Sequence, residues 1–533
     1  MSQKTPLTAS RKRAAHPDFI PTFSLSALRN RLPFLFPVPE NLPPSPKRHY
    51  RSQYRYLGAD DLAHLTTLHN LTLFEIALRL IDFSPLRDYF AQFYVQSARG
   101  QVPFDPLSLF LCACLRRERH LGWRTLAKLL AGEHGAGWRR LFGFSDGDTP
   151  SASGLRYFFD LVGAEVFEEL CPLFADLLHQ ASLLPEHGTF PGDPAGRGVT
   201  ISHDLMLHEA RSNMKCAQVS ASCYQPAPRP CLAKEAGQAG CDCREPACAQ
   251  VCRRATPLDP EARYMHYEGR NKDADVDRQD NSRGRDVYGY LSNPDRLLDD
   301  RFACAWTLRT GLYPANADER NLFPHSFTHL QARFPWLLIG EVLADAALGF
   351  QGCLDAIWEA GALRMVDIRA DRCDRDAEAQ LRRGYNEKGH PLCIHGYAMR
   401  SNGYDYQRRR TKWLCGKRCL KDPERTIPDC PYLAPEHQHG QVTNVGRTLP
   451  DGSVRLAREV PYGSKTWKTR YGRRNFSESR NGAMEGMDLK RLPSFGRPRC
   501  RKEVAVGDFL DNLRTLSRLV GEATSLALKI TTS

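Results

Sequence analysis

A chain of 533 residues, 41 % apolar and 25 % charged, has the material for several packed domains, which excludes wholesale disorder. Its 39 glycines and 36 prolines are ordinary counts and exclude collagen-like or low-complexity architecture. Lysine and arginine outnumber aspartate and glutamate by 74 to 61, and the net charge of +13 points to a polyanionic partner, above all nucleic acid.

The longest apolar run, Leu107 to Leu115, is too short to span a bilayer and ends in Arg116-Arg117. No apolar leader follows Met1, so an intracellular, cytoplasmic chain with no membrane contact is expected. In a reducing compartment its 18 cysteines read as zinc ligands or buried thiols rather than disulfides.

Residues 1–60 form a basic, proline-rich arm, with ten Lys/Arg against Asp18, Glu40 and Asp60. Tyrosines alternate with arginines around Tyr50, Tyr54 and Tyr56, a composition that suits phosphate neutralisation and base stacking as well as a solvated tail. Residues 61–190 have helical periodicity. Asp105-Pro106 starts one helix; Trp123, Leu126, Leu129 and Leu130 share a face of the next, which stops before Gly132. Thr149-Pro150-Ser151 opens another through Leu155, Phe158 and Phe159. With Arg124, Lys128, Arg139 and Arg140 facing outward, these helices suit a helix-turn-helix-like DNA-binding unit, and a plain helical bundle fits the same pattern.

Between residues 195 and 372 the period changes to strands. The expected order is a strand at Val199–Ser202 running to Asp204, a second at Cys216–Ser222 and a third at Phe302–Leu312. A helix through Phe323, Phe327, Leu330 and Phe334 leads to a buried strand from Leu337 to Ala344, which ends at Asp345. A helix through Phe350, Cys353, Leu354, Ile357 and Trp358 precedes a fifth strand at Leu363–Ile368. Together these predict an α/β fold, a mixed sheet with flanking helices after an all-α N-terminal domain. Two Cys-rich inserts interrupt it, at 223–300, where Arg263 to Asp300 reads as loop, and at 373–464. Residues 465–533 complete the core and close with a helix from Phe509 to Ile530.

Asp204 and Asp345 stand at the ends of the first and fourth strands, which can lie side by side in such a sheet. Tyr471, Arg474 and Glu478 share one helical face in a stretch, Lys465 to Lys502, with twelve Lys/Arg against three acids. Three carboxylates converging in a basic cleft are suited to Mg²⁺, and two such ions activate the attacking oxygen and stabilise the leaving one. Each acid taken singly is equally suited to capping or to an ion pair.

Three stretches carry a resemblance. Gly196 to Asp204, Ile339 to Gly349, and Tyr471 to Glu478, which fits Tyr-x2-Arg-x3-Glu, together resemble the DDE-type transposases of bacterial insertion sequences. Phe104-Asp105-Pro106 through Thr149-Pro150-Ser151 is similar to the helical domain that precedes many of their catalytic cores. The resemblance covers about residues 100–500 and implies a ribonuclease H-like core, with Asp204, Asp345 and Glu478 holding two Mg²⁺, for which Mn²⁺ substitutes. It further implies DNA cleavage and strand transfer at element ends, with Tyr471, Arg473 and Arg474 on the DNA and at least a dimer joining two ends. One departure concerns the lysine often found seven positions after the glutamate, where this chain has Glu485. Lys490 or Arg491 is then the substitute cation, or Glu485 the ligand; Asp367 is the alternative second acid.

The inserts hold Cys231, Cys241, Cys243, Cys248 and Cys252 in one and Cys393, Cys415, Cys419 and Cys430 in the other. The second quartet is the stronger candidate for structural zinc, although neither insert has a C-x2-C knuckle. Two further readings compete: a non-catalytic, zinc-stabilised DNA-binding protein derived from a transposase, and a metal nuclease that only cleaves.

Overall fold

The computed structural model describes residues 32–42, 49–58, 71–94, 102–194, 196–211, 259, 261–267, 285–369, 375–421 and 430–531. The expected strand at Cys216–Ser222, the five cysteines of the first insert and most of the basic arm lie outside the described residues. Among the described residues no helix is long and apolar enough to cross a membrane.

The first half is helical, as its periodicity predicts: α1 (Leu73–Leu80), α2 (Leu86–Ala91), α3 (Pro106–Glu118), α4 (Trp123–Ala131), α5 (Ala136–Phe142), α6 (Ala152–Leu161), α7 (Ala164–Glu168) and α8 (Leu170–Gln180). Asp105 caps α3 by accepting from Leu107 N, with Pro106 in the first turn, and Ser151 caps α6 by accepting from Gly154 N. Helix α3 is buried along almost its whole length, including Arg116 and Arg117.

The second half is a mixed α/β structure around one sheet. Its strands are β1 (Val199–His203), β2 (Met206–Glu209), β3 (Arg263–Tyr267), β4 (Arg285–Asp299), β5 (Cys304–Pro314), β6 (Ile339–Ala344) and β7 (Leu363–Val366). Strand β1 is central, antiparallel to β4 on one side and parallel to β6 on the other, and β7 extends the parallel side. Strand β4 also pairs with β2, β3 and β5. Helices α9 (Glu319–Arg333) and α10 (Gln351–Glu359) make the connections from β5 to β6 and from β6 to β7.

The stretch from Arg263 to Asp300, expected to be loop, instead supplies β3 and the 15-residue β4. Polar residues disguise this strand, and three of its charged ones find partners inside the fold. Asp295 accepts from Ser326 and pairs with His203; Arg296 donates to Phe476 O and pairs with Asp511; Asp299 pairs with Arg301.

Strands β1 and β6 approach closely where two glycines meet, Gly198 just before β1 and Gly340 as the second residue of β6. A Cβ on Gly340 would lie 2.4 Å from the Gly198 carbonyl oxygen, so any side chain there forces the backbones apart. Gly340→Ala is expected to cost about 1–3 kcal/mol, as overpacking does. The check is chemical denaturation, and an unchanged midpoint would contradict this close approach.

Residues 375–464 carry a smaller antiparallel sheet, β8 (Arg400–Asp405), β9 (Arg410–Leu414) and β10 (Val442–Val445), over a core that includes Tyr385, Met399 and Trp413. The chain then returns as α11 (Lys465–Tyr471), a 3₁₀ turn at Gly472–Arg474, α12 (Asn475–Gly486) and the 35-residue α13 (Arg497–Thr531). Helix α13 starts at Arg497 rather than Phe509. The Gly496-Arg497-Pro498 start gave no apolar periodicity, and charged residues of its first turns are used internally, Glu503 against Arg116 and Arg117.

Helix α13 joins the two halves. Phe509 meets the rings of Phe36, Phe110 and Phe174 at 5.8, 5.8 and 6.0 Å from the helical side. On the sheet side Asn512 accepts from Thr307 N and donates to Thr307 O.

Candidate active site

The β1–β6 register sets His203 opposite Ala344, so the next residues, Asp204 and Asp345, leave adjacent parallel strands at the same end. Open α/β sheets bind ligands at such strand ends. Asp345 also caps the following 3₁₀ turn by accepting from Ala347 N. The third acid comes from the far end of the chain. Tyr471, Arg474 and Glu478 sit on two helices joined by a 3₁₀ turn rather than on one, and Glu478 lies in the first turn of α12.

Arg474 gathers the three acids. Its Nη2 lies 2.8 Å from Asp204 Oδ1, 4.0 Å from Asp345 Oδ2 and 3.9 Å from Glu478 Oε1. The two longest of these distances cap the separation of any pair of these oxygens at about 8 Å. Asn481 holds the other oxygen of Asp204 by donating to it at 3.0 Å. The Asp345 and Glu478 side chains are 45 % and 50 % exposed, so the group opens to solvent. Burial works against the charge of Arg474, but the hydrogen bond and charge of Asp204 outweigh it and hold the guanidinium more firmly protonated than usual. Tyr471 is half-buried, stacks on Trp467 at 4.5 Å and is pushed up to about 12, chiefly by burial.

Arg473 turns the other way. Its side chain is 7 % exposed and pairs with Asp300 and with Glu341 in the middle of β6. Arg197 and Arg470 also bind Glu341. Burial alone would raise the Glu341 carboxyl, but Arg473, Arg197 and Arg470 take it below its ordinary range. This buried network fixes the helical turn that presents Arg474.

Asp367 follows β7, accepts from Tyr462 Oη at 2.5 Å and forms no ion pair with Arg474 among the described residues. Glu485 and Lys490 pair with each other at 2.5 Å, farther along from Glu478. His203 pairs with Asp295, while His208 is buried between Leu489 O and Ser292 and pushed down to about 4 by burial.

A fourth acid was not read from the sequence. Glu319, in the first turn of α9, is pushed up to about 7 by burial, then by the charges of Asp345, Asp318 and Asp204, against His203. One turn on, Phe323 packs edge-on against His203 at 5.0 Å, which holds the start of α9 over the end of β1. The available signal was Asp318-Glu319 at a helix start directly after a strand.

The four thiols of the second quartet lie in the small sheet's subdomain. Cys393 accepts from Gly396 N through its carbonyl, and Lys417 N donates to Cys415 Sγ at 3.3 Å. The Cys419 thiol is pushed up by burial, then by Cys415, Cys430 and Cys393. Among the described residues, no three His, Cys, Asp or Glu side chains stand close enough together to hold a metal as they are. At the acids, the Arg474 guanidinium is the cation in their midst. The three acids bring hard oxygen donors, the ligand type that Mg²⁺ takes, and as they stand they close on this guanidinium.

No family model, no curated protein and no solved structure matches the chain.

Proposed function

We propose that the chain is a DDE-type DNA transposase with a ribonuclease H-like core, which cleaves DNA at element ends and transfers the cut strand. The observation that carries this reading is that Asp204, Asp345 and Glu478, from three distant segments, all lie within 4.0 Å of one nitrogen of Arg474. The sheet order adds support, with β1 flanked by an antiparallel hairpin on one side and two parallel strands on the other.

In this reading Asp204, Asp345 and Glu478 would hold two Mg²⁺, which would supply activation of the attacking oxygen and stabilisation of the leaving one. The chain's own residues do the rest. Asn481 orients Asp204, and Arg474 offsets the repulsion among the acids so that they stay close while ionised. Exposed Lys and Arg of 465–502 hold the DNA backbone, and Tyr471 buttresses Arg474. The protein works in the cytoplasm on duplex DNA, as a dimer or higher assembly that joins two ends.

The test uses the full chain and a supercoiled plasmid carrying the genomic DNA that flanks its own gene. Nicking in Mg²⁺ or Mn²⁺, none in EDTA, and products joined to target DNA are expected. Cleavage without joined products would leave a nuclease. Tight DNA binding without cleavage would overturn the catalytic reading in favour of a DNA-binding protein derived from such an enzyme.

A further inference from the structure

A second basic feature lies away from the acids. Helices α3, α4 and α6, the loop after α12 and the start of α13 enclose a cleft of about 1170 Å³. Its floor includes Arg116 and Arg117, which share Glu503. Both are at least nine-tenths buried, and the Nε atoms of both lack a hydrogen-bond partner among the described residues. Its rim carries Arg124, Arg211 and Arg491, all exposed and without a carboxylate partner among the described residues. Arg211 is held in place by the Phe495 ring at 4.6 Å and by donating to Pro493 O. Two helix N-termini also open on the cleft, at Gly122–Trp123 and Ala152–Ser153, and Gly122 has no side chain to cap α4. Buried donors without partners, rim arginines without a carboxylate partner among the described residues and the uncapped N-terminus of α4 all favour one ligand chemistry, the phosphodiester anion.

We infer that this cleft grips the sugar-phosphate backbone of duplex DNA, as a site separate from the acids. The inference rests on the reading of the chain as an enzyme acting on DNA. Helix α12 carries the chain from Glu478 to its end at Gly486, about 12 Å at 1.5 Å per residue, and Asp488 on the cleft wall follows two residues later. That span corresponds to about three to four base pairs, so one duplex reaches both places. The cleft is formed jointly by the first and last parts of the chain, and it thereby fixes the distance between grip and cut.

The test compares the full chain with the triple variant R124A/R211A/R491A. Duplex binding is followed by fluorescence anisotropy from 50 to 300 mM salt, with plasmid cleavage run in parallel. Each lost phosphate contact removes about 0.9 from the slope of log affinity against log salt. The triple variant should therefore lose about 2.7 of slope and bind about a hundred-fold more weakly at 0.15 M salt. The matching Arg→Lys triple variant keeps the charges and should recover most of the slope. If the alanine variant is folded and keeps the wild-type slope while the wild type cleaves, the cleft inference fails and the enzyme reading stands. A wild type that neither binds nor cleaves duplex DNA overturns both. Displacement of DNA by an equal concentration of duplex RNA overturns the assignment to DNA.

Discussion

Asp204→Asn should reduce metal-dependent DNA cleavage by a factor on the order of 10³ or more, the scale expected when a group stabilising the transition-state charge is lost. The amide has the shape of the carboxylate but lacks the anionic oxygen that a divalent ion requires. It also takes from Arg474 its closest partner, at 2.8 Å, and leaves the guanidinium to the half-exposed Asp345 and Glu478. Asp204 stands just past the end of β1, outside the hydrophobic core, so the fold should persist and the unfolding temperature should barely move. Plasmid nicking checks this prediction, with Asp367→Asn as comparison. Asp367 is engaged by Tyr462 and forms no ion pair with Arg474 among the described residues, so its variant should stay within a few-fold of wild type. Asp204→Asn activity within ten-fold of wild type, or loss confined to Asp367→Asn, would remove Asp204 from the reaction.

The largest expected effect on stability is at Glu503. Its carboxylate is buried between Arg116 and Arg117, which have no other carboxylate partner among the described residues. Glu503→Gln leaves two guanidiniums buried without a counter-charge and should cost about 3–5 kcal/mol. The pH dependence separates this from a packing defect. Burial would raise the carboxyl, but Arg116 and Arg117 push it down to about 2 from an ordinary 4.5. Because the folded value is the lower one, the stabilisation is complete above about pH 4.5 and is lost as pH falls toward 2. That shift corresponds to about 3 kcal/mol, of which about 2 should be gone by pH 3. The wild-type advantage over Glu503→Gln, measured by denaturant unfolding, should thus be level from pH 7 to 5 and shrink below that. An advantage that stays constant down to pH 3 would exclude the ion pair as its source.

The acids were legible in the sequence for local reasons. Asp204 and Asp345 each end an apolar strand, and Glu478 shares helical spacing with Arg474. The bond from Arg474 to Asp204 was not legible, since it depends on how α12 lies over the sheet. Nor was the opposite orientation of Arg473, because neighbouring arginines in a basic run look alike. A signal did exist in Glu341, an acid inside an otherwise apolar strand, which at 0 % exposure demands buried cations. Strand β4 escaped notice because its charged residues are paired with partners as far as 215 positions away, as with Arg296 and Asp511, and periodicity cannot register such distances. The mixed α/β architecture was readable where apolar period and caps agreed; the length of α13 was not, because its first turns bury charge instead of hydrocarbon.

Helix α13 also constrains how the chain comes into being. The rings of Phe36, Phe83, Phe110 and Phe174 lean on Phe509, which the ribosome adds about 400 residues after Phe110. At 5–20 residues per second, the helical half spends about 20–80 s with that aromatic face uncovered. During this interval the uncovered face is open to aggregation, and a chain truncated before α13 should keep it exposed as a sticky, protease-sensitive surface. Folding of the helical half is therefore tied to completion of the chain's last helix.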